Sequence, residues 1–462
     1  MNGSINDFFV VLSEYLWGWP LVLLLLGTHL FLTVRLQFPQ RYLFKAIKLS
    51  VTSDKDSAGD VSQFGSLAIA LSATIGTGNI VGVATAVALG GPGSVFWCWL
   101  TGVLGMSTKY GEALLGVKYR ERKEDGKMAG GPMYVIDKGL GWKWLAVVFS
   151  ILAIFTSLGV GGSFQASVIA SFADNIDYTA SQIIGIVVAL LVVVVMMGGV
   201  KRIAKVCSWV VPLITLFYIL GCCLVLAINY EFLIPAIKTI CSSAFSTQAV
   251  GGGFVGSSFI IAARYGMARG LFSNESGFGT AAIASAAAQT KNSVRQALVA
   301  STGTFWDSVV VCGVTGIVIV SCILADPSIA YSDGAGLAQA AFSNIPVIGV
   351  PILIAGMCTF AFTTILGWCY YGEQAVEFLK GGIVKYVFRL LFVAFVYIGY
   401  TNEIDLFWNV TDCANALMII PNLLVVLLLS GVIVRETRYY LWEGRLDTDM
   451  YTDSNPPAAS KK

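Results

Sequence analysis

The chain has 462 residues, of which 56% are apolar and only 12% charged, and its mean hydropathy is +0.77. That balance excludes an ordinary soluble domain, and a net charge of +2 excludes the broad basic face that nucleic-acid binding needs. Ten cysteines scattered through apolar segments without CxxC spacing read as small buried hydrophobes, and one histidine, His29, leaves no set of His ligands for zinc or haem.

Apolar runs of membrane-spanning length, about 20 residues, recur along the chain. Eleven spans are expected, over residues 17–36, 63–90, 93–117, 142–173, 180–200, 205–229, 252–290, 293–324, 347–379, 384–400 and 409–433. The 16 residues before the first run lack the basic start of a signal peptide, and no small-residue cleavage site follows it. The first run therefore reads as a retained helix. Lys and Arg alternate between connections: residues 35–55, 118–143, 201–205, 291–295 and 380–389 are basic, as is the tail from Arg435. The intervening connections carry Asp174, Asp326 and Glu403, with Lys238 their one base. The positive-inside rule then puts the N-terminus outside and the C-terminus in the cytoplasm. From Thr448 on, a short polar tail is expected to be disordered.

After the first span, ten remain and divide five and five. Five is odd, so the second set runs with inverted orientation. Each half opens with an apolar helix interrupted by glycine, at Gly76-Thr77-Gly78-Asn79 and again at Asn274-Glu275-Ser276-Gly277-Phe278-Gly279. One such break commonly means close packing. Two at matching positions of two halves point to a binding site at mid-membrane.

Three blocks carry a resemblance: GTGNIVGVATAVALGGPGSVFWCW (76–99), AGGPMYVIDKGLG (129–141) and RGLFSNESGFGTAAIASAAA (269–288). They are similar to the signature blocks of the alanine/glycine:cation symporter family, in the right order and over nearly the whole chain. The resemblance implies an all-α polytopic membrane protein: one N-terminal helix, then a five-plus-five inverted-repeat core of the LeuT type. It implies Na⁺-coupled symport of small neutral amino acids, alanine and glycine, in the cytoplasmic membrane of a prokaryote. The divisions are then 1–60, an N-terminal helix and basic loop; 61–230, the first repeat; 231–434, a connection and the second repeat; and 435–462, a cytoplasmic tail. Core helices 1, 3, 6 and 8 fall at 63–90, 142–173, 252–290 and 347–379.

A zwitterion at mid-membrane needs both charges met. The carboxylate suits the N-terminal end of a half-helix, which assigns it to the N–H groups of Thr77 and Gly78, with Asn79 orienting the turn or touching ligand. The ammonium suits carbonyls where a half-helix stops, at Phe272, Ser273 or Asn274. By the resemblance, Thr363 and Thr364 match the hydroxyl pair of a sodium site completed by carbonyls of Ser72, Ile75 and Phe360. A threonine pair in a helix otherwise bonds back to its own preceding turn. By analogy too, Phe164, Gln165 and Trp368 face the pocket, a bulky Trp favouring small side chains. Arg264, Arg269, Glu275, Asp307 and Glu112 are intramembrane charges and so functional candidates. Arg269 and Glu275 read equally as gate contacts or as a static network, and Glu112 as an anchor beside the inner loop. Glu275 also keeps open an H⁺-coupled carrier of the same fold. A channel lacks support in a single chain of two halves, and no nucleophile with a base suggests an enzyme.

Overall fold

The computed structural model describes residues 2–52, 54, 57–173, 178–246, 259–329, 334–343, 345, 347, 349–401 and 405–450. Asp174, Glu403, the opening residues 252–258 of the seventh expected span and the tail from 451 lie outside them.

Among the described residues, seven helices are long and apolar enough to cross a membrane: Ile5–Arg35, Lys143–Ser171, Gly199–Ile228, Ser293–Ala325, Gly349–Leu379, Ile383–Thr401 and Asp405–Leu428. The pair Gln63–Thr74 and Thr77–Gly90, bent by 61°, makes an eighth. The three other expected spans fail that test for identifiable reasons. Gly93–Lys118 carries Lys109 and Glu112 in its C-terminal half, Tyr178–Met197 is described only in part, and the seventh is split by its glycines into Phe259–Asn274 and Thr280–Ala286.

The helices sort into two groups by what they face. Tyr178–Met197, Gly199–Ile228 and Ile383–Thr401 turn large apolar side chains outward, among them Leu190, Leu213 and Leu390, the arrangement expected against lipid. The first broken helix, the second from Gly270 on, and Ser293–Thr304 are buried almost throughout, and Gly93–Lys118 is largely so. They lie close because their contact residues are small. A Cβ on Gly116 would sit 2.6 Å from the carbonyl oxygen of Ala282, so that helix pair touches backbone to backbone.

Several elements were not expected from hydropathy. The first crossing helix starts earlier than expected, with Asn2–Leu16 leading into Trp19–Arg35 and packing along Asp405–Leu428; Asp7 and Glu14 interrupt the apolar pattern there. Tyr230–Ser243 and Gly334–Ser343 occupy stretches read as connections, the latter packed on Val81–Gly90. The basic loop after Lys118 forms a small hairpin, Glu121–Arg122 paired antiparallel with Met128–Ala129.

At the end of the molecule that carries these basic loops, the backbone entering the first broken helix is paired with the backbone leaving the second. Asp60 N and Val61 N donate to Ala287 O at 2.8 and 3.1 Å, and Gln289 N donates to Val61 O at 2.7 Å. Arg120 ties the same join from the side, donating to the carbonyls of Ala286, Ala288 and Ala58 at 2.9, 2.7 and 2.8 Å.

Gly279 turns the chain into Thr280–Ala286 at φ 86°, and a Cβ there would lie 2.2 Å from Pro132 Cγ. Gly279→Ala is therefore expected to cost about 1–3 kcal/mol, read as a lower Tm in detergent. An unchanged Tm would show that the turn has room to relax.

Candidate functional site

The two breaks are built differently. In the first, Thr74 ends its helix, and Ile75 is extended at φ −75°, ψ 98°, which turns its carbonyl out of the helical ladder. One tight turn, Thr77–Asn79, follows before Val81–Gly90. Asn79 holds that turn: its Oδ1 accepts from Gly76 N at 2.7 Å, and its Nδ2 donates to Asp307 Oδ1 at 2.6 Å.

In the second break, Glu275, Gly277 and Gly279 have φ of 50°, 101° and 86°. Glycine adopts such values freely; a glutamate does so only when its surroundings impose it. Those surroundings come from Gly93–Lys118. Lys109 Nζ donates to Asn274 O at 2.9 Å and Glu275 O at 3.3 Å, where the first half-helix stops. One turn further, Glu112 Oε1 accepts from Gly277 N and Gly279 N, both at 3.0 Å, and from Asn422 Nδ2 at 2.6 Å. A cation thus meets the negative end of one half-helix and a carboxylate the N–H groups opening the next. Both side chains are 1% exposed. Lys109 was missed in the sequence reading; the available signal was a second charge three residues before Glu112 inside an apolar run. Glu112 is an anchor as expected, but for the helix break rather than the inner loop.

Asp307 joins the two breaks. Besides Asn79, it accepts from Ser273 Oγ at 3.1 Å and Ser308 Oγ at 2.8 Å through Oδ2. Ser273 sits at the last turn of Phe259–Asn274, so one buried carboxylate is shared by both interrupted helices.

Between the breaks and Gly349–Leu379 lies a cavity of about 300 Å³. Of the expected substrate residues, Thr77, Gly78, Phe164, Gln165, Phe272, Ser273 and Trp368 line it. Asn79 and Asn274 do not; Asn79 stands behind the first turn. Asn274 spends its side chain on Ser308 and Ser276 and its carbonyl on Lys109. Arg269 and Glu275 line the cavity, whereas Arg264 does not. Glu275 Oε2 accepts from Thr280 Oγ at 2.8 Å. Trp408 and Asn415, which the sequence reading did not select, also face in. Asn415 Oδ1 is buried with no hydrogen-bond partner among the described residues.

Of the expected ion residues, Thr364 Oγ donates to Ser72 O at 3.0 Å across two helices, and Thr363 Oγ donates back to Phe360 O at 3.0 Å within its own. Ser72, Ile75, Phe360, Thr363 and Thr364 are all buried. Hydroxyl and carbonyl oxygens are the donor set that a hard cation takes. A Cβ on Gly76 would come 2.9 Å from Thr364 Oγ, so glycine there keeps the two helices in reach.

A second cavity of about 500 Å³, lined by Ser163, Ser167, Tyr400 and Asp405 among others, shares Phe164 and Trp408 with the first. Those two rings stack at 4.0 Å with planes 28° apart and form the partition between the cavities.

A model of the sodium:alanine symporter family matches residues 2–454. The chain belongs to the sodium:alanine symporter family. It is thus a multi-pass membrane transporter rather than an enzyme, and sodium is the coupling ion of the family. Two relatives are similar over nearly their whole length. An uncharacterized transporter of Haemophilus influenzae is 45% identical, covering 95% of this chain and 96% of its own. The sodium/alanine symporter AgcS of Methanococcus maripaludis is 43% identical, covering 93% and 95%. Among solved structures, MhsT in complex with L-phenylalanine superposes with a TM-score of 0.56 at 14% identity, over 81% of this chain and 90% of that one. This likeness establishes the LeuT-type fold.

Lys109→Met would strip two buried carbonyls of their donor. The expected loss is at least about 2 kcal/mol, seen as a lower Tm together with weakened substrate binding. Wild-type stability and binding in this variant would mean that the break supports itself.

Proposed function

We propose that this member of the family carries alanine, glycine and amino acids of similar size into the cell with Na⁺, by alternating access. The observation that carries the reading is the meeting of two interrupted helices at one cavity, lined by Thr77 and Gly78 from one break and by Phe272 and Ser273 from the helix that runs into the other. The 43% identity to a sodium/alanine symporter supports alanine as the substrate.

In this reading the substrate carboxylate sits on the N–H groups of Thr77 and Gly78, at the positive start of the second half-helix. Because Lys109 occupies Asn274 O, the ammonium falls to the carbonyls of Phe272 and Ser273, with Asn415 Oδ1 as a further acceptor. Phe164, Gln165 and Trp368 bound the side-chain end. Na⁺ is held by Thr363 and Thr364 hydroxyls with the carbonyls of Ser72, Ile75 and Phe360. The Thr364–Ser72 contact means that an ion there draws helix 63–74 onto Gly349–Leu379, which couples ion binding to the position of the first break.

Eleven spans with the N-terminus outside and the C-terminus inside complete the proposal, in a prokaryotic cytoplasmic membrane, with repeats over 61–230 and 231–434. That orientation makes the 58–61 and 286–289 pairing the closed cytoplasmic side and the Phe164–Trp408 stack the outer partition.

The test is uptake of labelled alanine into proteoliposomes under an inward gradient of Na⁺, of H⁺, or of neither. Accumulation with Na⁺ alone, suppressed by unlabelled alanine or glycine, is the expected result. Accumulation driven by H⁺ alone would remove sodium and direct attention to Glu275. Thr364→Ala should raise the Na⁺ concentration for half-maximal uptake about tenfold, equivalent to roughly 1.4 kcal/mol, at unchanged Tm. Wild-type Na⁺ dependence in that variant would refute the ion assignment.

A further inference from the structure

The N-terminal arm lies outside the two repeats, yet it reaches the substrate cavity from behind. Its two helical stretches, Asn2–Leu16 and Trp19–Arg35, follow one another through Trp17 and Gly18 within the single span Ile5–Arg35, and Trp17 sits at that join. The indole packs on Phe272 at 5.5 Å, ring edge to ring face, and on Phe278 at 6.0 Å. Both phenylalanines line the cavity, Phe272 from the helix before the second break and Phe278 from within it. Two turns further along the arm, Leu25 fills the space beside Gly277, where a Cβ would lie 2.4 Å from Leu25 Cδ2.

The join itself is anchored. Ser13 Oγ donates to Asp412 Oδ2 at 2.5 Å, and Asn409 Nδ2 donates to Asn6 Oδ1 at 2.9 Å, which fixes the arm to Asp405–Leu428. Trp17 N closes the last turn on Ser13 O at 2.9 Å. The indole is therefore held in place from one side and pressed on two cavity walls from the other.

We propose that Trp17 sets the size limit of the substrate cavity, as the backing that keeps Phe272 and Phe278 turned inward. The inference rests on the transport reading above and extends it to a residue that no substrate touches. Around the break, helical hydrogen bonds are interrupted and backbone torsions are unusual, so ring positions depend on what is packed behind them. A close-packed interior has no spare volume into which a phenylalanine can retreat. Truncating the indole creates that volume, and neighbouring side chains relax into part of such a void. The retreat deepens the cavity, so longer substrates gain more than alanine does. Trp17 is thus a positioning residue for specificity, and the arm contributes to substrate choice as well as to membrane insertion.

The experiment compares wild type, Trp17→Ala, Trp17→Phe and Phe31→Ala in proteoliposomes. Phe31 lies on the same arm, 39% exposed and away from the cavity. Glycine, alanine, valine, leucine and methionine compete against labelled alanine, and the same amino acids are scored for raising Tm in detergent. Trp17→Ala should improve methionine relative to alanine about tenfold, the scale on which pocket volume discriminates side chains. Trp17→Phe should restore most of the wild-type order, and Phe31→Ala should keep all of it. A wild-type order in Trp17→Ala, by uptake and by Tm, overturns the proposal, as does an equal change in Phe31→Ala. If Trp17→Ala does not fold, Trp17→Leu carries the same comparison. Failure of wild type to take up alanine under any gradient would overturn the transport reading instead, and the Tm ranking would still decide the role of Trp17.

Discussion

A helix cannot stop inside hydrocarbon without leaving N–H and C=O groups that water does not reach, each a serious cost unless another partner is found. Much of this architecture follows from meeting that demand twice. At the second break the partner is a pair of opposite charges one turn apart on Gly93–Lys118, Lys109 on the carbonyl end and Glu112 on the N–H end. Three residues apart on one helix, the two side chains leave the same face about one turn apart, one for each side of the break. Each charge bonds the backbone it stabilises, Lys109 through Nζ and Glu112 through Oε1, which is what lets two ionisable side chains sit in so apolar a setting.

The first break is handled otherwise. Its own Asn79 closes the turn and leans on Asp307, which leaves the backbone of Thr77 and Gly78 beside the cavity. One break is therefore braced by the scaffold while the other keeps its polar groups available. Asp307 also receives Ser273 from the second break, so the two interrupted helices share a carboxylate. A change in the hydrogen bonding of one is felt at the other through a direct contact rather than through distant packing.

Access is limited by two different kinds of contact. Toward one end, two aromatic rings stack between the cavities, a contact with little directional bonding that separates at modest cost. Toward the other, backbone pairs with backbone across 58–61 and 286–289, and Arg120 ties three carbonyls together. Opening there requires several hydrogen bonds to part together, which makes that closure the more cooperative of the two. The arm adds a third constraint from outside the repeats, since Trp17 and Leu25 bear directly on the second break.

The sequence by itself determined the membrane-spanning class, the positions of both breaks and the family, because each is written in local composition. Hydropathy runs mark helices, paired glycines mark interruptions, and the blocks at 76–99, 129–141 and 269–288 are contiguous. It also selected seven residues of the cavity wall, Thr77, Gly78, Phe272 and Ser273 from the breaks, and Phe164, Gln165 and Trp368 by resemblance. Tertiary structure decided which side chains turn inward and which hold the wall from behind. Asn79 and Asn274 face away because the backbone groups and hydroxyls they bond lie on the far side of each turn. Lys109, Trp408 and Trp17 gain their meaning from partners between about 165 and 260 residues away in the chain, and a buried charge such as Lys109 is tolerated where such a partner is present. Spacing along one helix does not encode that proximity; the packing of helices around the two interruptions does.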